Sequence, residues 1–396
     1  MIATSRPLKI CLSAGEHSGD ILGAGFVEQL LTSYPTAEVY GITGPKMAAA
    51  GCRSICRLDD IAVMGIREVL TRLPTLWRAR RRLKRWLAAE KPDIFIGIDA
   101  ANFNLPLAHY AKRLGIMTVQ YVSPKIWVWR AYRIHFIKRV IDLMLCIMPF
   151  EEALYAQHHV TAKFIGHPLA DVIPATPERS AARQALQLDI AVSPLIALLP
   201  GSREQEIQRM LPVYLDVASA CLKRYPQCRF VIPVVSEQGQ QQVQAKIDAY
   251  PIALPISVHM GGTHTILAAA DAAVVTSGTA SLEAALFQCP QVVAYKTSAL
   301  SYHLVKILIA NRIRFISLPN LMVDDALVPE LIQEEASSDN ISAALFAQLE
   351  KVGDPIAQEK LRQLYRQLRV DASSQAVQTV MAYAQNQGVV SCSLPG

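Results

Sequence analysis

Two carboxylates, two glycine-containing turns and one arginine are the residues of this 396-residue chain whose types and spacing suit group transfer. Asp99 lies in the phrase Gly97-Ile98-Asp99-Ala100, which ends the apolar run Ile94-Phe95-Ile96. The C-terminal edge of a parallel strand is where open α/β sheets place their site residues, and partial desolvation there lifts a carboxylate toward the general-base range. The alternative is a helix cap or a turn residue. Glu16 lies in Ser13-Ala14-Gly15-Glu16-His17-Ser18-Gly19-Asp20, between a first strand-like run and a first helix. Glycines there permit close backbone approach, but the spacing is not the G-x-G-x-x-G of a dinucleotide site. Glu16 and Asp20 would also repel a pyrophosphate. A carboxylate at that place suits hydroxyl binding or proton abstraction, unless the stretch is only a tight turn with capping groups.

The second half of the chain carries the anion-binding signals. Leu199-Pro200-Gly201-Ser202-Arg203 leaves a strand, and Glu204 and Glu206 start the next helix. Backbone N–H groups of Gly201 and Ser202 with a cationic Arg203 would form a phosphate clamp at a helix start. Ser277-Gly278-Thr279-Ala280-Ser281-Leu282-Glu283 repeats the device, and Glu283, one turn on, is spaced to accept two hydrogen bonds from a vicinal diol such as a ribose. Together they read as a nucleotide-diphosphate site; separately, each turn is also explained by helix capping.

A third set of residues suits a membrane surface. From Leu76 to Leu87 the pattern is an amphipathic helix with Leu76, Ala79, Leu83 and Leu87 on one face and Arg78, Arg81, Arg82 and Arg85 on the other. Trp77 and Trp86 flank the arginines, and the apolar stretch Ala62-Val63-Met64-Gly65-Ile66 precedes the helix. Basic residues with interfacial tryptophan fit anionic headgroups; a solvated face of a packed helix is the plainer reading. No nucleic-acid module accompanies the charge. The aromatic segment Tyr121–Arg130 suits an acyl or sugar cleft or simple core packing, and His167 in Phe164-Ile165-Gly166-His167-Pro168 suits a phosphate or backbone contact better than catalysis.

The elements that must position these residues alternate. With 52% hydrophobic and 18% charged residues, the chain fills cores easily and is not disordered. Strand-like runs at Leu8–Ser13, Glu38–Thr43, Ile94–Asp99, Met117–Val122 and Leu143–Ile147 alternate with helical stretches such as Ile21–Leu31 and Leu76–Glu90. The pattern restarts with Pro194–Leu199, Arg229–Val234, Ala273–Thr276 and Val292–Tyr295, and Asp339–Gln387 is helical in pattern. Such alternation predicts parallel sheets with right-handed crossovers, in two Rossmann-like domains facing a cleft. The expected boundaries are 1–170, a linker at 171–193, a second domain at 194–365 and a helical tail at 366–396 that braces either domain. Residues 1–170 hold 22 Lys and Arg against 13 Asp and Glu, whereas the remainder holds 17 against 20, so an acidic surface is expected opposite the first half. Neither of the longest uncharged stretches, Ala249–Ala270 and Ala372–Gly396, reads as a membrane span of about 20 apolar residues. The N-terminus lacks a cleavable apolar core, which points to the cytosol. The cysteines show no zinc spacing, so no metal site is expected.

Eight phrases, in order and spread over almost the whole chain, resemble the lipid-A-disaccharide synthases: Ala-Gly-Glu-x-Ser-Gly-Asp (14–20), Val-Met-Gly-Ile (63–66), Gly-Ile-Asp-Ala (97–100), Tyr-Val-Ser-Pro (121–124), Phe-Ile-Gly-His (164–167), Leu-Pro-Gly-Ser-Arg (199–203), Ser-Gly-Thr-Ala (277–280) and Leu-Pro-Asn-Leu (318–321). The resemblance implies an inverting, metal-independent GT-B glycosyltransferase without a cofactor. Its substrates would be UDP-2,3-diacylglucosamine and 2,3-diacylglucosamine 1-phosphate, and its products a β-1,6-linked disaccharide and UDP. It further implies a peripheral protein on the cytoplasmic face of a Gram-negative inner membrane, bound to anionic lipid, and a possible homodimer whose C-terminal tail crosses back to the first domain or is exchanged between subunits. Position by position, the family's essential aspartate falls on Asp99, its loop carboxylate on Glu16, its phosphate-binding arginine on Arg203 and its asparagine on Asn320. The ribose-binding glutamate of related GT-B enzymes falls on Glu283. The chain departs in having Ala101-Asn102 where Pro-Asp is expected, which leaves Asp99 as the base and puts a second carboxylate in that loop in doubt. A UDP-sugar epimerase or hydrolase of the same fold, without membrane affinity, is the alternative enzyme, and a non-enzymatic binding module would require both phosphate turns to be incidental.

Overall fold

The computed structural model describes residues 6–58, 66–127, 132–188, 193–298, 314–352 and 354–390, with backbone alone at 66–73 and 357. The chain forms two compact units: one runs to Asp171 and resumes at Arg369, the other is Val172–Leu368.

The first unit is built on a seven-stranded sheet of β1 (Lys9–Ala14), β2 (Glu38–Thr43), β3 (Arg53–Arg57), β4 (Ile94–Ile98), β5 (Met117–Tyr121), β6 (Leu143–Cys146) and β7 (Ala162–Phe164). Their order is β3-β2-β1-β4-β5-β6-β7, and all neighbours are parallel. Both faces are covered by helices, so β4 and β5 are buried at every residue; β4 is an unbroken apolar or small run, and β5 is apolar but for Thr118 and Gln120. The C-terminal helix Ala372–Asn386 closes this core with Ala376, Val377, Val380, Met381 and Ala384, packing on helix His17–Ser33. Asp171 receives the backbone N–H groups of Asp371 and Ala372 at 3.0 and 2.7 Å, which secures the returning chain.

The second unit contains β8 (Leu195–Leu199), β9 (Arg229–Val234), β10 (Ile256–Met260), β11 (Ala272–Thr276), β12 (Gln291–Tyr295) and β13 (Glu330–Ile332), parallel in the order β10-β9-β8-β11-β12-β13. The segment 171–193 is more than a connector. It carries helix Arg179–Ala185, whose Arg179 and Arg183 both pair with Asp271 at 2.8 Å, so the helix is fastened to this unit by a sheltered three-member ion pair.

Both sheets reverse strand order once, between β1 and β4 in the first and between β8 and β11 in the second. At such a switch point adjacent loops leave in opposite directions and open a crevice beyond the strands' C-terminal ends.

Candidate active site

Ala14 pairs with Ile98 in register at the end of β1 and β4, so Gly15-Glu16 and Asp99-Ala100 leave the first sheet side by side at its switch point. Burial and the negative charge of Asp99 raise the carboxyl of Glu16 above its ordinary value, a sign that the two carboxylates share one field. Asp20, by contrast, is spent: it is buried and accepts the N–H groups of Gly44, Lys46 and Met47 at 2.9 to 3.0 Å, capping helix Pro45–Ala49.

Asp99 and Ala100 are both left-handed, at φ of 50° and 36°. Non-glycine residues hold such angles only when their surroundings over-determine them. Asn104, fully buried in helix Ala101–Arg113, supplies most of that restraint. Its Nδ2 donates to the carbonyls of Ser13, Ile98 and Asp99 at 3.1, 3.1 and 3.0 Å, and its Oδ1 accepts from Ser13 Oγ at 2.7 Å. Gln120 at the end of β5 donates to the Asp99 carbonyl at 3.0 Å, and the Asp99 N–H donates to Tyr121 O at 2.8 Å. One buried amide thus ties the Glu16 loop to the Asp99 loop. The sequence reading missed Asn104 and Gln120; the available signal was a polar residue at an inward position of an otherwise apolar helix face and strand. Asn102, where an aspartate was expected, accepts from Arg133 Nη2 at 2.6 Å.

In the second unit Val275 pairs with Leu199, which places the Gly201–Arg203 turn beside the Ser277–Gly278 turn at that sheet's switch point. The N–H groups of Ser202 and Arg203 both donate to Glu206 Oε2 at 3.2 Å. Glu206 Oε1 also lies 3.2 Å from Arg203 Nη1, so a carboxylate of the chain itself fills the anion seat. Gly201 sits at φ 104°, and a Cβ there would stand 2.5 Å from Glu206 Oε2. The Arg203 side chain is 82% exposed and reaches solvent freely. Gly278, Thr279 and Ala280 open helix Thr279–Leu286; Ser281 Oγ donates to Gly278 O at 2.7 Å, and Ser277 Oγ donates to Ile316 O at 3.2 Å.

Glu283 stands on that helix with Oε1 3.5 Å from Nε2 of His264. Asn320, the family's asparagine, is placed in the structure as a brace. It is buried, its Nδ2 donates to Val328 O and Glu330 Oε1, both at 2.8 Å, and its Oδ1 accepts the Val328 N–H at 2.8 Å. Glu330 also accepts from the N–H groups of Ile316 and Ser317, so Asn320 holds the loop that touches Ser277. His167 is buried and its burial pushes the imidazole down to about 4, which makes it a neutral acceptor for the Leu169 N–H, with no charge to offer a phosphate.

The basic helix is Ile66–Glu90, longer than its amphipathic part predicts and with Pro74 inside it. Ala79, Leu83 and Leu87 are buried, while Arg78, Arg81, Arg82 and Arg85 are exposed with Trp77, over whose ring Arg81 lies at 5.2 Å. Trp86 does not belong to that surface: it packs on Tyr40 at 5.1 Å between ring centroids, because it follows the buried stripe of Leu83 and Leu87. Val63 and Met64 lie outside the described residues, as does the Ile66 side chain. No described helix is long and apolar enough to cross a membrane.

The family model described as lipid-A-disaccharide synthetase matches residues 10–383. Lipid-A-disaccharide synthase of Idiomarina loihiensis is 44% identical over 382 residues, which cover 96% of this chain and 100% of that one. The protein of the same name from Pseudomonas aeruginosa is 42% identical over 374 residues, covering 94% and 97%. Among solved structures, UDP-GlcNAc 2-epimerase from Neisseria meningitidis bound to UDP-GlcNAc superposes with a TM-score of 0.63 at 14% identity, covering 95% and 100%. The calicheamicin glycosyltransferase CalG4 superposes with a TM-score of 0.58 at 14% identity, covering 96% and 98%. These two likenesses establish the GT-B fold of twin parallel-sheet domains.

Proposed function

The chain belongs to the lipid-A-disaccharide synthase family, glycosyltransferases of lipid A biosynthesis, and from this premise we propose the substrates and the residues that act on them. The donor is UDP-2,3-diacylglucosamine and the acceptor 2,3-diacylglucosamine 1-phosphate. The acceptor 6-hydroxyl oxygen bonds to the donor's anomeric carbon from the face opposite UDP, the bond from that carbon to the diphosphate oxygen breaks, and the configuration inverts to β.

Asp99 takes the hydroxyl proton as the new bond forms. Glu16, with its raised proton affinity, hydrogen-bonds the acceptor beside it. Arg203 and the backbone N–H groups at the start of helix Thr279–Leu286 receive the negative charge that grows on the departing diphosphate, a role in which no metal ion takes part. Arg203 reaches that charge by leaving Glu206. Glu283 accepts the two ribose hydroxyls. The exposed arginines Arg78, Arg81, Arg82 and Arg85 with Trp77 rest on anionic headgroups at the membrane from which both acylated substrates are drawn.

The observation that supports this reading most is the pairing of chemistry with topology: the two carboxylates meet at the switch point of the first sheet, and the arginine and hydroxyl-rich turns meet at that of the second. The test is a purified-protein assay with both proposed substrates and EDTA, following UDP and disaccharide together. Disaccharide formed in step with UDP is the expected result. UDP released without disaccharide, or a strict need for added magnesium, would overturn the substrate or the metal-free assignment respectively.

A further inference from the structure

His264 has no part in the chemistry above, yet it is built against a residue that does. Chain geometry brings it there. Gly261 and Gly262 follow β10 at φ 68° and 69°, angles that favour glycine, and turn the backbone so that His264 enters helix Thr263–Ala269 facing helix Thr279–Leu286. Its ring packs on Phe287 with centroids 5.3 Å apart, and its Nε2 lies 3.5 Å from Glu283 Oε1. The aromatic contact and the carboxylate together favour one orientation of the half-exposed imidazole.

Among the described residues, the other charges on the helices packed here are engaged elsewhere. Helix Arg179–Ala185 also packs on helix Thr263–Ala269, but its Arg179 and Arg183 are held by Asp271, and Arg183 Nε donates to Ala269 O at the far end of that helix. Among the described residues, Glu283 is the charged group that faces His264, and its hydrogen bond raises the imidazole above its ordinary value. The Glu283 side chain is only 19% exposed, so the pair is screened less than a free surface pair. A carboxylate held at one oxygen by an N–H keeps its remaining lone pairs aimed in fixed directions, which lowers the ordering cost when a ligand diol arrives.

We propose that His264 is a positioning residue for the donor nucleotide: through Glu283 Oε1 it holds the carboxylate in the orientation that receives a vicinal diol, and so governs affinity for the UDP-sugar and leaves the chemical step alone. The inference rests on the assignment of Glu283 to the ribose. It is tested by steady-state kinetics of His264→Ala, His264→Gln, Glu283→Gln and the His264→Ala/Glu283→Gln double variant, each checked for an unchanged melting temperature. His264→Ala raises the KM for the UDP-sugar about tenfold while kcat and the acceptor KM stay within about twofold. His264→Gln, which keeps an N–H donor but no titration, recovers most of the affinity and loses the rise of donor KM that the wild type shows as pH climbs through the imidazole range. In the Glu283→Gln background, His264→Ala adds nothing. A full additional loss in that background, or an unchanged donor KM in His264→Ala where Glu283→Gln is impaired, overturns the role of His264. A Glu283→Gln variant with wild-type donor KM overturns the ribose assignment itself.

Discussion

A Cβ placed on Gly15 would stand 2.0 Å from the Cβ of Ala100, so the loop bearing Glu16 and the loop bearing Asp99 touch through a position where no side chain fits. Gly15→Ala must therefore push the two carboxylates apart. We expect kcat/KM to fall about a hundredfold, since displacements of about an ångström at reacting groups have that effect. Removing the opposing methyl makes room again. The double variant Gly15→Ala/Ala100→Gly should recover most of the activity, and a double variant no better than the single one would show that contact is not the cause.

Asp99 and Asn104 should separate chemistry from scaffold. Asp99→Asn should lower kcat about a thousandfold with no change in melting temperature, because only the proton acceptor is lost. Asn104→Ala strips the donor from the carbonyls of Ser13, Ile98 and Asp99 and should cost about 2–3 kcal/mol of stability as well as activity. Denaturant melts run beside the kinetics distinguish the two.

Arg203 offers the reverse of Asn104. Its ion pair with Glu206 is exposed and contributes little to folding, so Arg203→Ala should leave the melt unchanged. Its effect belongs to the leaving group, with kcat/KM for the UDP-sugar lowered about a hundredfold. Arg203→Lys, which keeps the charge but not the two-pronged geometry, should lie between.

Glu151 should make stability depend on pH. It is buried at the start of helix Pro149–Gln157, accepts the Met148 N–H and Trp127 Nε1–H at 3.3 Å each, and burial raises its carboxyl to about 7. With the folded value above the unfolded one, the protonated form stabilises the fold fully at acid pH. That contribution fades as pH rises from the ordinary carboxylate range through about 7. The loss is on the order of 3 kcal/mol. Glu151→Gln should remove this slope, so the melting-temperature gap between the two proteins should widen in favour of the variant from pH 5, about two units below the folded-state value, to pH 8, about one unit above it. A constant gap would count against it.

The two tryptophans of the basic helix should behave oppositely. Trp77 is 60% exposed, whereas Trp86 packs on Tyr40. Trp77→Ala, or glutamine at Arg78, Arg81, Arg82 and Arg85 together, should reduce retention on anionic vesicles at low salt without lowering the melting temperature. Trp86→Ala should leave retention intact and cost about 2 kcal/mol of stability.

What the sequence determined by itself was the centre of each sheet and the turns that leave it. A strand covered on both faces must be apolar nearly throughout, and β4, β8 and β11 announce themselves as such runs, whereas β5 carries the buried polar residues Thr118 and Gln120. The family phrases sit at their ends, so Glu16, Asp99, Arg203 and the Ser277 turn could be named before any coordinate. The strands that escaped notice, β3, β7, β10 and β13, are the four sheet edges. Edge strands are partly solvated and carry no continuous apolar run, as Arg53–Arg57 and Ala162–Phe164 illustrate.

Only the tertiary structure decided which polar side chains are free. Asn320 and Asp20 stand in family phrases in the linear sequence, yet each spends hydrogen bonds on backbone that folding brings beside it. Asn104, Glu206 and His264 read as ordinary helix residues, yet each meets the site's own loops or carboxylate. The reason is physical: a residue type fixes which hydrogen bonds a side chain can make, but burial removes water as a partner, and the partner that replaces it comes from wherever the fold places another strand end.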